Sequence, residues 1–369
     1  MDEIDWSARL IGIKGTRGVG KTTFLLQYAK EKFGFDRSCL FVNMNNFYFS
    51  QCSLVDFAGE FVKRGGKVLL IDQVFKLPHW SHDLRTCYEH YPNLKIVFTG
   101  SSVMRLKDEN PELNGIVRSY NLRGFSFREF LNLQTGNHFS SYSLEEILNN
   151  HEHIAKTILP HTNPLNYFQD YIHHGFYPFF LEKRNFSENL LKTMNMMIEV
   201  DILLIKQIEL KYLSKIKKLL YLLAVDGPVA PNVSQLATDI QTSRATVMNY
   251  IKYLADARLI NMVYPKGEVF PKKPAKIMMH NTNLMYSIYP VKVEEQDVLE
   301  TFFVNSLWKD HKVNKGEKGT SFIVDENLNF RICNEGYKFK NNPNIYYAMH
   351  KSELGHGNQI PLWLFGFLY

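Results

Sequence analysis

Cysteine is scarce in this chain of 369 residues, and its pattern excludes several classes of protein. The four cysteines, Cys39, Cys52, Cys87 and Cys333, are widely separated. They form no C-x-x-C pair, and no histidine stands at the spacing of a zinc site. The sequence therefore argues against a disulfide-stapled domain and against a zinc module, and we expect reduced thiols.

Long apolar runs and biased segments are also missing. No stretch of eighteen apolar residues occurs, so no membrane-spanning helix is predicted. The opening MDEIDWSARLIGIKG is acidic and lacks the apolar centre and cleavage site of a secretion signal. We expect a cytoplasmic protein with no membrane partner.

What is present is an ordinary globular composition, with 45% hydrophobic and 22% charged residues, enough for two to four domains. The net charge of +6 is concentrated in one place. Residues 205–280 hold twelve Lys and Arg against five Asp and Glu, a local charge of +7. An anionic partner would meet this segment.

Residues 8–125 alternate short apolar runs with amphipathic stretches, which predicts an α/β fold with a parallel sheet covered by helices. Within this region GTRGVGKT matches the phosphate-binding P-loop pattern. Its glycines let backbone N–H groups face phosphates, its lysine adds charge, and its threonine suits Mg²⁺. We expect ATP and Mg²⁺ as ligands, with these nucleotide-binding residues: Gly15, Thr16, Arg17, Gly18, Val19, Gly20, Lys21, Thr22 and Thr23.

The stretch KVLLIDQVFK predicts a second buried strand that ends in Asp72, 51 residues after Lys21. Asp72 and Thr22 are the predicted Mg²⁺ ligands. The next residue is Gln73, where an ATP-hydrolysing enzyme usually has Glu. An amide can hydrogen-bond the attacking water but cannot take its proton, so we expect retained binding and slow hydrolysis.

A third apolar strand, KIVFTGSS, ends in the hydroxyl residues Thr99, Ser101 and Ser102. These side chains either contact the γ-phosphate or its attacking water, or cap a helix. If this strand lies between the P-loop strand and the Asp72 strand, the chain belongs to the branch of P-loop enzymes with an added strand.

The chain resembles bacterial AAA-like P-loop ATPases of the Bacteroides type, which carry a helical lid, a winged helix and a C-terminal domain of unknown function. The similar stretches are GTRGVGKTT, LLIDQVFKLPHWSHDLR, KIVFTGSS, YNLRGFSFREFL, YIHHGFYPFFLEKR and HNTNLMYSIYP. The resemblance implies an ATP-binding core over residues 1–124, a helical lid over 125–212, a winged helix over 213–290, and a degenerate nuclease-like α+β domain over 291–369.

Two positions depart from that family. Family members usually read Asp-Glu where this chain has Asp72-Gln73, and often carry Gly-Arg where it has Gly115-Ile116. Arg118 and Arg123 are then the nearest candidates for an arginine that senses the γ-phosphate, although for each alone a surface or lid contact is the favoured explanation. Together with Gln73, Thr99 and Ser101 they form the predicted catalytic set.

Residues 213–265 read as three helices and a hairpin, LINMVYPKGEVF, as in a winged helix whose third helix enters a DNA major groove. Val247, Ile251 and Leu254 form the inward stripe, which leaves Tyr250 among the exposed residues. The predicted contacts to double-stranded DNA are Ser243, Arg244, Thr246, Asn249, Lys252 and Lys266. The rival interpretation is a packing or oligomerisation module.

The tail SFIVDENLNFRICNEGYKFK supplies acids and lysines, but not at nuclease spacing: Glu335 stands three residues before Lys338. We expect a degenerate, non-cleaving domain that ends in a core strand, IPLWLFGFLY. The favoured function is an ATP-binding switch with weak hydrolysis that couples nucleotide state to the winged helix. The alternatives are an oligomeric ATPase remodeller and a DNA-binding regulator with structural nucleotide.

Overall fold

The structure is a computed structural model that describes residues 3–106, 110–335, 337 and 342–369. The chain divides into two compact units. The first contains the residues up to Arg123 together with Glu199–Gln207. The second contains Gly124–Ile198 and Ile208–Tyr369. In the described part of the chain, no helix is both long and apolar enough to cross a bilayer.

The first unit is an α/β fold in which strands and helices alternate. Its strands are apolar and short, and β3 is buried along its whole length, as expected for a sheet covered on both faces. In chain order its elements are β1 (Leu10–Gly15), α1 (Lys21–Lys32), β2 (Cys39–Asn43), α2 (Leu54–Lys63), β3 (Val68–Asp72), α3 (Trp80–His90), β4 (Lys95–Ser101), β5 (Arg118–Asn121) and, in the separate segment, α8 (Leu203–Lys206).

The described strands of this sheet are all parallel and run in the order β2-β3-β4-β1-β5. The strand β4 therefore lies between the P-loop strand β1 and the Asp72 strand β3, which confirms the added-strand arrangement. The register pairs Gly15 with Ser101 and Asn43 with Asp72. Because the strands are parallel, their carboxyl ends meet at one edge of the sheet, where ligands of such folds bind.

The second unit begins with helices that share one hydrophobic core with the C-terminal sheet. Phe127 and Phe168 belong to this core, as do Phe303, Phe330 and Phe365. Serine capping boxes start α4 and α5. The helices of this part are α4 (Phe127–Thr135), α5 (Leu144–Ile158), α6 (Leu165–Asp170) and α7 (Phe186–Met196).

Three helices and an antiparallel pair of strands follow, in the region predicted as a winged helix-turn-helix. Its elements are α9 (Leu213–Asp226), α10 (Val233–Asp239), α11 (Arg244–Asp256), β6 (Ile260–Val263) and β7 (Lys276–Met279), with β6 and β7 antiparallel. The predicted hairpin was wrong in its second strand, because GEVF is loop and the return strand starts at Lys276. Pro265, Pro271 and Pro274 lack the N–H that a paired strand needs, and pairing with β6 resumes at Ala275, whose N–H donates to the Val263 oxygen at 2.9 Å.

The C-terminal part is a small α+β fold. Its sheet runs β12-β11-β10-β9-β8 among the described residues. The predicted closing strand is mostly wrong, since only Gln359–Pro361 is strand and Leu362–Phe367 forms a buried helical turn. The elements are α12 (Thr282–Ile288), α13 (Glu295–Leu307), β8 (Val313–Lys315), β9 (Phe322–Val324), β10 (Leu328–Cys333), β11 (Tyr346–Met349) and β12 (Gln359–Pro361). The predicted fold class is confirmed.

Candidate functional site

The P-loop joins β1 to α1 at the carboxyl edge of the first sheet. Gly18 and Gly20 have φ values of 85° and 91°, a conformation that L side chains rarely adopt. The Gly20 carbonyl accepts the first helical bond from the Phe24 N–H at 2.9 Å. The loop therefore turns sharply and leaves the free N–H groups of the α1 N-terminus at its mouth, where an anion binds well.

Gly15 is required at this place by close packing. A Cβ added there would lie 2.3 Å from the backbone oxygen of Leu122, well inside van der Waals contact. The Leu122 N–H in turn donates to the Lys14 oxygen at 2.8 Å. The start of the P-loop is thus pressed against the residue that follows β5.

The Lys21 side chain folds back onto the P-loop and bonds its backbone. Its ammonium donates to the Gly15 oxygen at 2.9 Å and to the Thr16 oxygen at 2.7 Å. Burial lowers the pKa of Lys21 from its usual value to about 8, an effect that the negative charge of Asp201 partly offsets. An incoming polyphosphate would stabilise the charged form again.

Asp72 is 1% exposed and is held by polar side chains from three other elements. The Thr22 hydroxyl donates to its Oδ2 at 3.0 Å, and the Asn43 amide donates to the same oxygen at 2.9 Å. The Thr99 hydroxyl donates to Oδ1 at 2.6 Å. The two predicted Mg²⁺ ligands, Thr22 and Asp72, are therefore in contact.

Thr99 has a structural task at this edge. Its hydroxyl also accepts the Gln73 N–H at 2.9 Å, so it joins the Asp72 carboxylate to the backbone of the next residue. Gln73 has φ 57°, in the left-handed region. Thr99 therefore fixes both Asp72 and Gln73, whereas the sequence offered only a γ-phosphate contact or a helix cap.

The remaining predicted catalytic residues are spread along the sheet. Ser101 lies beside Gly15 and its Oγ accepts the Val103 N–H at 3.4 Å, as in a local turn. Arg123 comes two residues after the end of β5. Arg118 is exposed and pairs with Ile11, four residues before the P-loop begins, so the register places it away from the phosphate site of its own chain.

Two residues at the site were not predicted. Asn43 could have been found as the polar residue that ends the apolar strand CLFVN. Asp201 lies in the run MIEVDILLIK, where an acid interrupts an apolar helical pattern. Its carboxylate bonds the Arg17 guanidinium, with Nη2 and Oδ1 2.7 Å apart, and its side chain is 5% exposed. Arg17 and Asp201 are 184 positions apart in the sequence, so no local sequence pattern reveals this contact.

The residues present fit ATP and Mg²⁺. Hard oxygen donors, one carboxylate and one hydroxyl, suit Mg²⁺, which keeps waters and phosphate oxygens as its other ligands. Asp72 and Thr22 supply these donors. The glycine turn, Lys21 and Arg17 supply the positive edge that a triphosphate needs, and Thr23 lies exposed in the first turn of α1.

Several of the predicted DNA contacts are exposed on α11 or at its start. Ser243 caps α11 by accepting the Thr246 N–H, and both Arg244 and Asn249 are exposed. The inward stripe of Val247, Ile251 and Leu254 is confirmed, since all are 0% exposed. The exposure predicted for Tyr250 is wrong: it is 5% exposed, because its position three residues after Val247 puts it on the same helix face.

Most of the lysines of the basic segment have partners inside the second unit. Lys252 pairs with Asp256 at 2.7 Å. Lys266, a predicted DNA contact, donates to the backbone oxygen of Glu326 at 2.9 Å. Lys215 and Lys218 donate to the backbone oxygens of Gln241 and Asp239, both at 2.6 Å, at the end of α10. Backbone oxygens carry no net charge, so these bonds leave the local charge of +7 in place but hold the lysine side chains in position.

Two acids of the tail, Asp325 and Glu326, lie in the turn between β9 and β10, and the third, Glu335, follows β10 and pairs with Lys351. Asp325 accepts the Lys312 N–H at 2.9 Å and lies 2.6 Å from His311 Nδ1. Within the described ranges no group of three His, Cys, Asp or Glu could hold a metal. Lys338 and Lys340, the lysines of the nuclease comparison, lie outside the described residues.

Comparison with known families gives the first unit its class. Residues 7–131 match the family described as AAA domain. The match and the P-loop geometry together support an ATP-binding, AAA-like P-loop domain. Residues 165–292 match a domain of unknown function, DUF8612, which includes the winged helix and the helices before it.

One similar protein matches a longer part of the chain than the AAA-like region. Uncharacterized protein MJ1637 of Methanocaldococcus jannaschii is 29% identical over 278 residues, 71% of this chain and 58% of that protein. The match thus spans less than two thirds of the relative.

Two solved structures are similar at low level. The structure of Drosophila ORC bound to DNA is 11% identical, with 80% of this chain and 89% of that chain covered and a TM-score of 0.30. The structure of AMPPCP-bound DnaA from Aquifex aeolicus is 15% identical, with 67% and 81% covered and a TM-score of 0.23. Scores this low do not establish a common fold over the whole chain.

Proposed function

We propose that the chain is a nucleotide-controlled switch: its AAA domain binds Mg²⁺-ATP, hydrolyses it slowly, and couples nucleotide state to the winged helix. The observation that carries the proposal is the contact of Thr22 with Asp72, 3.0 Å apart beside the P-loop. These two residues would hold Mg²⁺, which when bound neutralises charge on the β- and γ-phosphates.

Slow hydrolysis follows from the chemistry of Gln73. The backbone of this residue is fixed by the Thr99 hydroxyl at the end of β3, next to Asp72. Its amide can orient a water by hydrogen bonding but has no useful basicity, so the proton of the attacking water has no acceptor at this position. Lys21 and the α1 N-terminus still bind and orient the phosphates.

The test is the rate of ATP hydrolysis by the protein and by Gln73→Glu. A carboxylate that serves as general base contributes roughly 10²–10⁴-fold, so the variant should turn over at least a hundred times faster. Gln73→Asn is the matched control and should stay slow. Rapid turnover by the unaltered protein would contradict the proposal.

The output of the switch is proposed to be an interaction of the winged helix with DNA or a protein. Arg244 and Asn249 are exposed on α11, the helix that enters the major groove in such folds. A mobility shift on random duplex DNA at low salt tests the DNA alternative. Arg244→Ala should weaken binding roughly tenfold, whereas Lys192→Ala, an exposed lysine paired with Glu188, should not.

If no mobility shift occurs at low salt, DNA is rejected as the partner of the winged helix and a protein partner remains. ATP dependence of the shift, and its loss in Lys21→Ala, would separate the switch from a DNA-binding regulator with structural nucleotide.

An oligomeric ATPase remodeller is the second candidate, and the position of Arg118 favours it. This arginine is exposed on the edge strand β5, distant from the phosphate site of its own chain, as an arginine supplied to a neighbouring subunit would be. A hydrolysis rate per chain that rises with protein concentration and falls in Arg118→Ala would support this candidate. Concentration-independent turnover would reject it.

A further inference from the structure

Asp201 places a buried negative charge beside a loop that is built to bind anions. Its carboxylate is 5% exposed and lies 2.7 Å from Arg17, the third residue of the P-loop. It also acts on Lys21, whose charged form it stabilises. The segment Glu199–Gln207 thus places a carboxylate where the negatively charged phosphates of a nucleotide would bind.

The ion pair leaves Arg17 incompletely bonded. One contact, from Nη2 to Oδ1, joins the two side chains, and the buried Arg17 Nε has no hydrogen-bond partner among the described residues. A guanidinium makes its strongest bonds through two parallel N–H groups to one carboxylate or phosphate. Arg17 therefore keeps a donor that a phosphate oxygen would satisfy.

Burial makes this arrangement sensitive to a second anion. A carboxylate removed from water interacts more strongly with nearby charge than an exposed one, and salt screens it less. ATP and Asp201 would then repel each other while both are attracted to Arg17 and Lys21. ATP carries more negative charge than a single carboxylate, so it binds Arg17 and Lys21 in preference to Asp201.

We propose that Asp201 is an internal stand-in for nucleotide phosphate, and that ATP binding exchanges it for a phosphate as the partner of Arg17. The exchange frees the segment Glu199–Gln207 from the P-loop. This inference rests on the proposed binding of ATP in the AAA domain. It adds a residue that sets nucleotide affinity and the place where binding is sensed.

The segment is suited to carry such a signal. The residues that flank it, Ile198 and Ile208, belong to the second unit, so the chain leaves that unit before Asp201 and re-enters it afterwards. Val200 and Ile205 are only partly buried against the core of the first unit. Ile202 and Leu203 of the segment are buried. Release of Asp201 therefore removes the ion pair that ties this segment to the P-loop, and the segment is joined covalently to the second unit.

The experiment measures ATP and ADP affinity by calorimetry in the unaltered full chain, Asp201→Asn and Glu209→Gln, an exposed acid in the following turn. Asp201→Asn should bind Mg²⁺-ATP roughly tenfold more tightly, and ADP with a smaller gain because ADP carries less charge. Glu209→Gln should change neither. Unchanged or weaker ATP binding in Asp201→Asn would overturn the exchange.

Hydrogen exchange in the unaltered protein gives a readout that does not depend on the variant folding. ATP should speed amide exchange within Glu199–Gln207 while the P-loop becomes protected. Slower exchange in both places would overturn the exchange.

The two proposals fail differently. ATP binding that is lost in Lys21→Ala but unaffected by Asp201→Asn would reject only the exchange. An absence of ATP binding in both the unaltered protein and Asp201→Asn would reject both proposals.

Discussion

Single residues carry most of the chemistry at the carboxyl edge of the first sheet. Asp72 accepts bonds from Thr22, Asn43 and Thr99, so one buried carboxylate joins the P-loop to the ends of β2 and β4. Each donor offsets part of the cost of removing the charge from water. Loss of any one of these three donors would therefore change how Asp72 contacts the other two.

Lys21 should give nucleotide binding a pH dependence. Its pKa in the free protein is about 8, and phosphate binding would raise that pKa in the complex. Binding is then strongest below pH 8 and is lost as pH rises above it. Between pH 7 and pH 9 the dissociation constant of ATP should increase about tenfold.

Calorimetry at pH 8.5 in two buffers of different ionisation enthalpy should show an uptake of roughly three quarters of a proton per ATP bound. Lys21→Met should bind ATP more weakly and lose this proton uptake. Equal affinity at pH 7 and pH 9 would show that the Lys21 pKa does not change on binding.

At this scale the sequence predicted the phosphate and metal residues but not their partners. The P-loop pattern fixes residue types at adjacent positions, so Lys21 and Thr22 could be identified directly. Asn43 and Asp201 reach the site through strand pairing and through a distant helical segment. Such contacts leave no local pattern in the sequence.

Secondary-structure elements were predicted well where their hydrophobic pattern was regular. The short apolar runs and amphipathic stretches of residues 8–125 correctly predicted a parallel sheet with alternating helices such as α2. Errors occurred where proline or burial overrode the pattern: the wing loop extends to β7, and most of IPLWLFGFLY is helical. Those final residues are buried among aromatic side chains, which periodicity cannot reveal.

Gly15→Ala should disrupt the junction between β1 and the residue after β5. The added Cβ would meet the Leu122 oxygen at 2.3 Å, so the two strands must separate. We expect a loss of about 1–3 kcal/mol in the free energy of unfolding, measured by denaturant titration, and weaker ATP binding.

The control for Gly15→Ala is Gly34→Ala, where the new Cβ meets nothing within 4 Å and only the φ of 56° is unfavourable. That change should cost about 1–2 kcal/mol and leave ATP binding intact. Equal ATP affinity in both variants would contradict the packing argument.

The whole molecule is not a simple series of domains, because the chain returns to the first unit for Glu199–Gln207. The boundary proposed at residue 124 therefore omits Val200 and Ile205, which pack on the first core, and the Arg17 partner Asp201. Local composition changes near residue 124, which is why the sequence suggested a cut there. It carries no sign of the later return.

A fragment of residues 1–124 should consequently be less stable than the same residues in the full chain. Exposure of two partly buried apolar contacts should cost roughly 2–4 kcal/mol. Thermal unfolding and limited proteolysis of the fragment would measure the difference. A fragment extended by residues 199–207 through a flexible linker should recover much of it, and a fragment 1–124 as stable as the full chain would contradict the argument.

The late position of Glu199–Gln207 in the sequence also determines when the first unit becomes complete during synthesis. The ribosome makes the 84 residues from Gly124 to Gln207 after the last strand of the first sheet and before the nucleotide unit has all its parts. At ordinary elongation rates this is a delay of roughly 4–17 s. During that interval Arg17 of the nascent chain has no Asp201 to pair with. Cellular ATP would therefore be able to bind the P-loop before the competing carboxylate has been synthesised.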